Sequence, residues 1–347
     1  MMSLISPRQD NLDGPSIPPP DGVQCNLDNP PNQNVLSCAV IFTCLALSIV
    51  FVLSHACARF QQARKPNNVD ILLALTFVMF CPLVYFCYRL SYSGGYFVHS
   101  WDIRLRDLSS FEYAHFVSTV LYTLIVSLIK IAILTEWTHI FVPRGTRTYF
   151  WWSCKITTCV VAVWGVISFV VVNINCTPYE ANWNALLPDR MCRYNFSALM
   201  LPSAVINFLL DLVPLILPHR IIWGLHLSTS QKLGVSLVFT AGLLGVSTAL
   251  VRLVLSVKFL ESLDQLYFAS VSGLVSLVEL TCGILVLCIP STPKALSLLP
   301  INKIFSLLRS RHDSIKKSKI DKTSNSSSLL TTTNPGQYQQ IDERSLT

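Results

Sequence analysis

The chain has 347 residues, of which 52% are hydrophobic and only 13% charged, with a formal net charge of +7. Globular chains usually carry about 25% charged residues, so soluble domains of this total length would lack the charge to cover their surfaces. A cytosolic enzyme, a secreted disulfide scaffold and a disordered protein are excluded, leaving a polytopic membrane protein.

Residues 1–34 are rich in proline (Pro7, Pro15, Pro18, Pro19, Pro20, Pro30, Pro31) and carry four Asp against one Arg. They predict a disordered tail, and without an apolar core segment they do not read as a cleavable signal peptide. Seven apolar runs follow, at about 35–58, 69–91, 113–137, 150–174, 196–218, 233–256 and 267–290. Each reaches the roughly 20 residues that a helix needs to cross a hydrocarbon core. None alternates with period two, so strands are not expected. The predicted fold is an all-α membrane protein, a seven-transmembrane helix bundle over residues 35–290.

Lys and Arg set the orientation. The loops after the first, third and fifth runs, together with the C-terminal tail, hold 16 of them, and the opposite side holds 6. The first side is expected in the cytosol, which places the N-terminus outside and the C-terminus inside. Beyond residue 290, Ile301, Ile304, Phe305 and Leu308 recur at helical spacing beside Lys303, Arg309 and Arg311, with Lys316 and Lys317 next. This predicts an amphipathic helix over 301–312 against anionic lipid, with a solvated basic tail as the alternative. The remaining Ser/Thr/Asn/Gln-rich end reads as disordered.

Nine of the twelve cysteines lie inside predicted spans, where a thiol usually acts as a small hydrophobe. Cys176 and Cys192 bracket one outer loop, in a compartment that permits a disulfide. Two free thiols, or a bond from Cys25 to one of them, are the alternatives. Asn195-Phe-Ser197 is a formal glycosylation sequon at the membrane surface.

Ionisable groups inside a span are costly, and are usually paired or functional. Lys130 of the third run and Asp211 of the fifth lie at similar depth, about 22 Å below the outer face at 1.5 Å per residue, and are expected to pair. Asn207 sits one turn above Asp211. Glu279 stands mid-way along the seventh run, with no second carboxylate near it in sequence. Arg252, in the outer quarter of the sixth, is expected to reach outward or toward Glu261 or Asp264. Two readings are open for this set: a water-lined cavity that binds or switches, or latches that fix helix packing.

Enzyme chemistry finds no foothold. There is no H-E-x-x-H, G-x-S-x-G, P-loop or G-x-G-x-x-G sequence. No cofactor is expected, and the absence of lysine from residues 267–290 argues against a retinal Schiff base.

The order of several elements resembles the fungal rhodopsin-domain integral membrane proteins across about residues 59–295. They are Gly94-Gly95 and His99 with Trp101-Asp102; Tyr122, Lys130 and Ile133-Leu134; Cys176-Thr-Pro178, Trp183 and Cys192; Asn207, Asp211, Pro214, Pro218, Trp223 and Leu225; and Lys232, Gly242, Arg252, Glu279, Cys282 and Pro290. The chain departs from that pattern at Asn67-Asn68-Val69-Asp70, at Glu136-Trp137-Thr138-His139, and in lacking an eight-cysteine outer module. The resemblance implies a receptor-like protein of a family with members linked to surface sensing in plant pathogens and others in metabolite gene clusters. The expected function is non-enzymatic sensing or signalling at the plasma membrane. The alternative is a small-molecule transporter or a membrane component of a secondary-metabolite pathway. Expected partners are membrane lipid, a small-molecule ligand and a cytosolic signalling protein, and not nucleic acid.

Overall fold

A computed structural model describes residues 12–61, 66–142, 146–194, 196–217 and 229–291. All belong to one compact unit, Met1–Ala295. The expected surface helix 301–312, the basic residues Lys303, Arg309, Arg311, Lys316 and Lys317, and the sequon residue Asn195 lie outside the described residues.

Seven described helices are long and apolar enough to cross a membrane: α1 (Asn34–Gln61), α2 (Asn68–Ser93), α3 (Leu105–Phe141), α4 (Tyr149–Ile174), α5 (Phe196–Ile216), α6 (Thr229–Glu261) and α7 (Gln265–Cys288). Five start and stop close to the predicted limits, and α6 runs about a turn longer at each end. The start of α3 is the main difference: it begins two turns earlier than the apolar run. Charged Arg106, Asp107 and Glu112 lower the local hydropathy, yet Leu108, Phe111 and Ala114 keep a buried face at helical spacing. Local chemistry sets other boundaries. Asn67 and Asp70 form a reciprocal capping box at the start of α2, and the Thr148 hydroxyl accepts from the Trp151 N–H of α4. Pro82, Pro202 and Pro214 sit inside α2 and α5 without ending them.

The core lies around α3 and α7. Buried Phe80, Leu83 and Leu90 of α2 meet Ile125, Ile129 and Ala132 of α3, and Leu277, Leu280 and Ile284 of α7. Gly283 lets α7 approach α3 closely, since a Cβ there would stand 2.7 Å from Ile129 Cγ2. The outer faces of α4 and α6 are apolar and exposed, among them Val163, Val166 and Ile167 of α4 and Leu244, Val251 and Val254 of α6. Such faces are stable only against lipid.

At one end of the bundle, a two-stranded hairpin pairs Cys176–Thr177 with Met191–Cys192, and Cys176 and Cys192 are joined as a disulfide. The connection carries Tyr179 and Trp183, whose rings pack on Tyr113 and Phe116 of α3. The N-terminal segment differs from the expected disordered tail, because residues 12–33 are strapped across this same disulfide end. Ser16 N bonds Ile103 O and Leu105 N bonds Gly14 O, at 2.9 and 3.0 Å. Asp13 pairs with Arg106 at 3.0 Å and Asp28 with Arg104 at 2.5 Å. Asp13 and Asp28 of the tail thus find the two arginines at the start of α3.

Candidate functional site

The residues of the intramembrane set come from four helices, and helix geometry aims them at one point. On α3, Tyr122 and Lys130 are eight residues apart and share a stripe. On α5, Asn207 and Asp211 are one turn apart. Lys130, only 4% exposed, sends its amine to the side-chain oxygen of Asn207 at 2.7 Å and to the Asn207 carbonyl at 3.0 Å. The same amine lies 3.0 Å from Asp211 Oδ1. The structure therefore brings Lys130, Asn207 and Asp211 together as one unit.

The network continues through Asn207. Its side-chain nitrogen donates to Glu279 Oε1 of α7 at 2.8 Å and to Asp211 Oδ2 at 3.0 Å. Two N–H groups meet these two acids, so the approach to the Tyr122 oxygen at 3.3 Å is the weakest of the three. Tyr122 donates to Glu279 Oε1 at 3.0 Å. One sequence expectation is corrected here, and the fold adds a contact that the sequence around Glu279 does not show. Arg252 does not turn outward or toward Glu261 or Asp264; its Nε lies 3.0 Å from Glu279 Oε2 as an ion pair, and its guanidinium sits over the Tyr122 ring at 4.8 Å. Glu279 also has a second carboxylate nearby, since Asn207 bridges it to Asp211.

Two cations and two acids balance inside the bundle, which is what makes burial of four charges tolerable. A connected array across α3, α5, α6 and α7 can hold a proton or a polar ligand. The residues do not fit a retinal Schiff base. Helix α7 has no lysine, and the Lys130 amine is held by Asn207 and Asp211.

Beside the network lies a cavity lined by α3, α4, α5 and Arg252, with Ser127, Gly165, Ser168 and Ser203 in its wall. The space that a water centre can reach is about 20 Å³. The unfilled volume, open mouth included, is about 370 Å³. The smaller figure decides what can be enclosed: one or two water molecules, or a head group of similar size.

Sequence reading missed two further clusters. At the disulfide end, His99 stacks between Trp101 and Tyr267, with centroids 4.6 and 5.1 Å apart, and its Nδ1 meets Asp264 at 2.5 Å. Ser100 N and Oγ both donate to Asp264 Oδ1, while the same hydroxyl accepts from Leu266 N. Helix α7 is thus capped by a residue of a distant loop. At the far end, Asp70 of α2 holds His55 at 3.0 Å and Arg59 at 3.1 Å, and Arg59 lies 3.8 Å from Glu136 of α3. The signals were available, as the His99–Asp102 run and the Asp70 and Glu136 departures, but their partners are supplied only by the fold.

Comparison with known proteins gives a consistent set. A family model described as the fungal rhodopsin domain matches residues 38–298. The Fugralins biosynthesis cluster protein 2 of Gibberella zeae is 33% identical over 339 residues, covering 96% of this chain and 84% of that protein. An SAT4 family membrane protein of Emericella nidulans is 27% identical over 201 residues, 56% of this chain and 48% of the relative. A polyenoic acids biosynthesis gene cluster protein of Metarhizium anisopliae is 29% identical over 133 residues, 38% of this chain and 35% of the relative.

Proposed function

The chain belongs to the fungal rhodopsin domain family, and from that premise we propose that this multi-pass membrane protein is a receptor-like sensor of a small molecule, without enzymatic activity. We place it in the plasma membrane with the disulfide end outside, the side that permits a disulfide and carries fewer Lys and Arg.

One observation carries the reading: the hydrogen-bonded array of Tyr122, Lys130, Asn207, Asp211, Arg252 and Glu279 ties four helices to a single point. A ligand that competes for one member forces its partners to re-pair, and the shift reaches every helix attached. That is the kind of two-state element a receptor needs. The far-end cluster of His55, Arg59, Asp70 and Glu136 ties α1, α2 and α3, and supplies a second joint on the side where a cytosolic partner would dock.

The names of two relatives, both biosynthesis cluster proteins, favour a second reading, transport or membrane support of a metabolite pathway. One experiment separates them. The purified protein is screened against a fractionated metabolite extract by thermal shift, and the active fraction is then offered to proteoliposomes. A receptor gains stability from the fraction, loses that gain in Glu279→Gln and Asp211→Asn, and moves no solute. Uptake of solute that is abolished in Glu279→Gln overturns the sensing reading and establishes transport.

A further inference from the structure

The cavity beside the charged network has two kinds of wall. Both cations, Lys130 and Arg252, line it, together with Tyr122 and the hydroxyls of Thr123, Ser127 and Ser203. Neither carboxylate does, for Asp211 and Glu279 are absent from the lining. The network is neutral as a whole but turns its positive side to the cavity.

Three polar atoms of that lining are buried without a hydrogen-bond partner among the described residues, Arg252 Nε, Arg252 Nη2 and Ser168 Oγ; Nε is ion-paired with Glu279, which leaves Nη2 and Ser168 Oγ. The protons of Lys130 already point at Asn207 and Asp211, so lysine contributes field while Arg252 and Ser168 contribute free donors. Buried orphan donors of this kind imply an acceptor from elsewhere, water or ligand. The rest of the lining is apolar, with Val161, Trp164 and Leu210, of which Trp164 and Leu210 are half-buried. The neighbouring outward faces, Val160, Val163 and Ile167 of α4 and Leu209 of α5, are apolar and exposed. A mouth beside Trp164 and Leu210 would open on the lipid-facing side of the bundle.

We propose that this cavity binds the carboxylate of a single-chain, lipid-soluble acid, which reaches it laterally from the bilayer. The head group sits against Arg252 Nη2 and Ser168 Oγ, in the field of Lys130, and the chain lies in the mouth along Trp164. The small enclosed volume admits the head alone, which is why the apolar part remains in the mouth. This deepens the sensing reading and rests on it, by giving the ligand a chemical class and a route.

The test uses the full-length purified protein and four probes: oleic acid, methyl oleate, oleylamine and sodium acetate. The expected result is a rise in Tm with oleic acid and none with the other three. Ser168→Leu, which fills the cavity without touching an ion pair, and Ser168→Ala, which removes only the hydroxyl, should melt like the wild type without ligand. They should weaken oleic acid on the order of ten-fold or more for the leucine variant, about 1.4 kcal/mol, and by a smaller factor for alanine.

Equal stabilisation by methyl oleate removes the carboxylate requirement and overturns the inference, while leaving a neutral-ligand sensor standing. Equal stabilisation by acetate removes the lipid-phase tail, and an unchanged affinity in both Ser168 variants removes the site. Failure of all four probes beside a positive extract fraction likewise overturns this inference and spares the sensing reading. A second arm compares nanodiscs of zwitterionic and of anionic phospholipid without added acid. Stabilisation by anionic phospholipid equal to that by oleic acid assigns the site to bulk lipid and also overturns the proposal.

Discussion

Asn207 is the residue through which the buried charges of this protein communicate. It accepts from Lys130 and donates to both acids, roles that leucine cannot fill and aspartate would fill with the wrong charge. Asn207→Leu should therefore destabilise the protein by about 3 kcal/mol or more, because it orphans charged partners. Asn207→Asp, which brings a third acid to the point, should cost more, and thermal melts of the two variants in one detergent give the order. For the Lys130–Asp211 pair, each single change to alanine should cost about 3–5 kcal/mol. The double variant should lose much less than the sum; additive losses would show that the two side chains are not coupled. That pair was legible in the sequence, because helix rise alone puts the two residues at one depth. The partner of Arg252 was not. Counting along α6 finds the acids of the following loop, whereas Glu279 sits lower on α7 and is met only because the long guanidinium stem bridges the difference. Tyr122 belongs to the family pattern, and its physical role depends on α3 facing α7.

At the scale of elements, seven apolar runs translate into seven helices because hydrocarbon tolerates no unsatisfied backbone. The start of α3 escaped hydropathy, since it depends on a buried stripe beneath charged residues, and so did the linkage of loop to helix. Ser100 caps α7 from a distance of 166 residues in the chain, a relation invisible to any local rule. Ser100→Ala should cost about 1 kcal/mol, with faster amide exchange confined to the first turn of α7. Gly283→Ala should lower Tm by driving a methyl into Ile129, and Ile129→Ala in the same chain should recover part of the loss; no recovery would show that the two helices do not touch there. The disulfide joins cysteines 16 positions apart in the chain. Cys192→Ser should cost about 3 kcal/mol in the chain-entropy model, read as a drop in melting temperature that a reducing agent reproduces in the wild type.

Across the whole molecule, the tail was read from its own composition, four acids and many prolines, which is sound for an isolated chain. Residues 12–33 lie over the disulfide end, where Arg104 and Arg106 supply charge opposite to Asp28 and Asp13. Arg104→Ala with Arg106→Ala should expose residues 12–33 to limited proteolysis while leaving the helical signal unchanged. The charged network, in turn, imposes a timetable on synthesis. Lys130 enters the membrane 77 residues before Asn207 exists to receive it, and at 5–20 residues per second the wait is about 4–15 s. Arg252 waits far less for Glu279. During that interval the nascent protein holds a solitary ammonium among lipids, the state that cellular quality control is built to notice. A chain terminated before α5 should be degraded rapidly, and Lys130→Leu in that fragment should prolong its life. The residue that joins the finished bundle is thus also the clock against which the later helices must arrive.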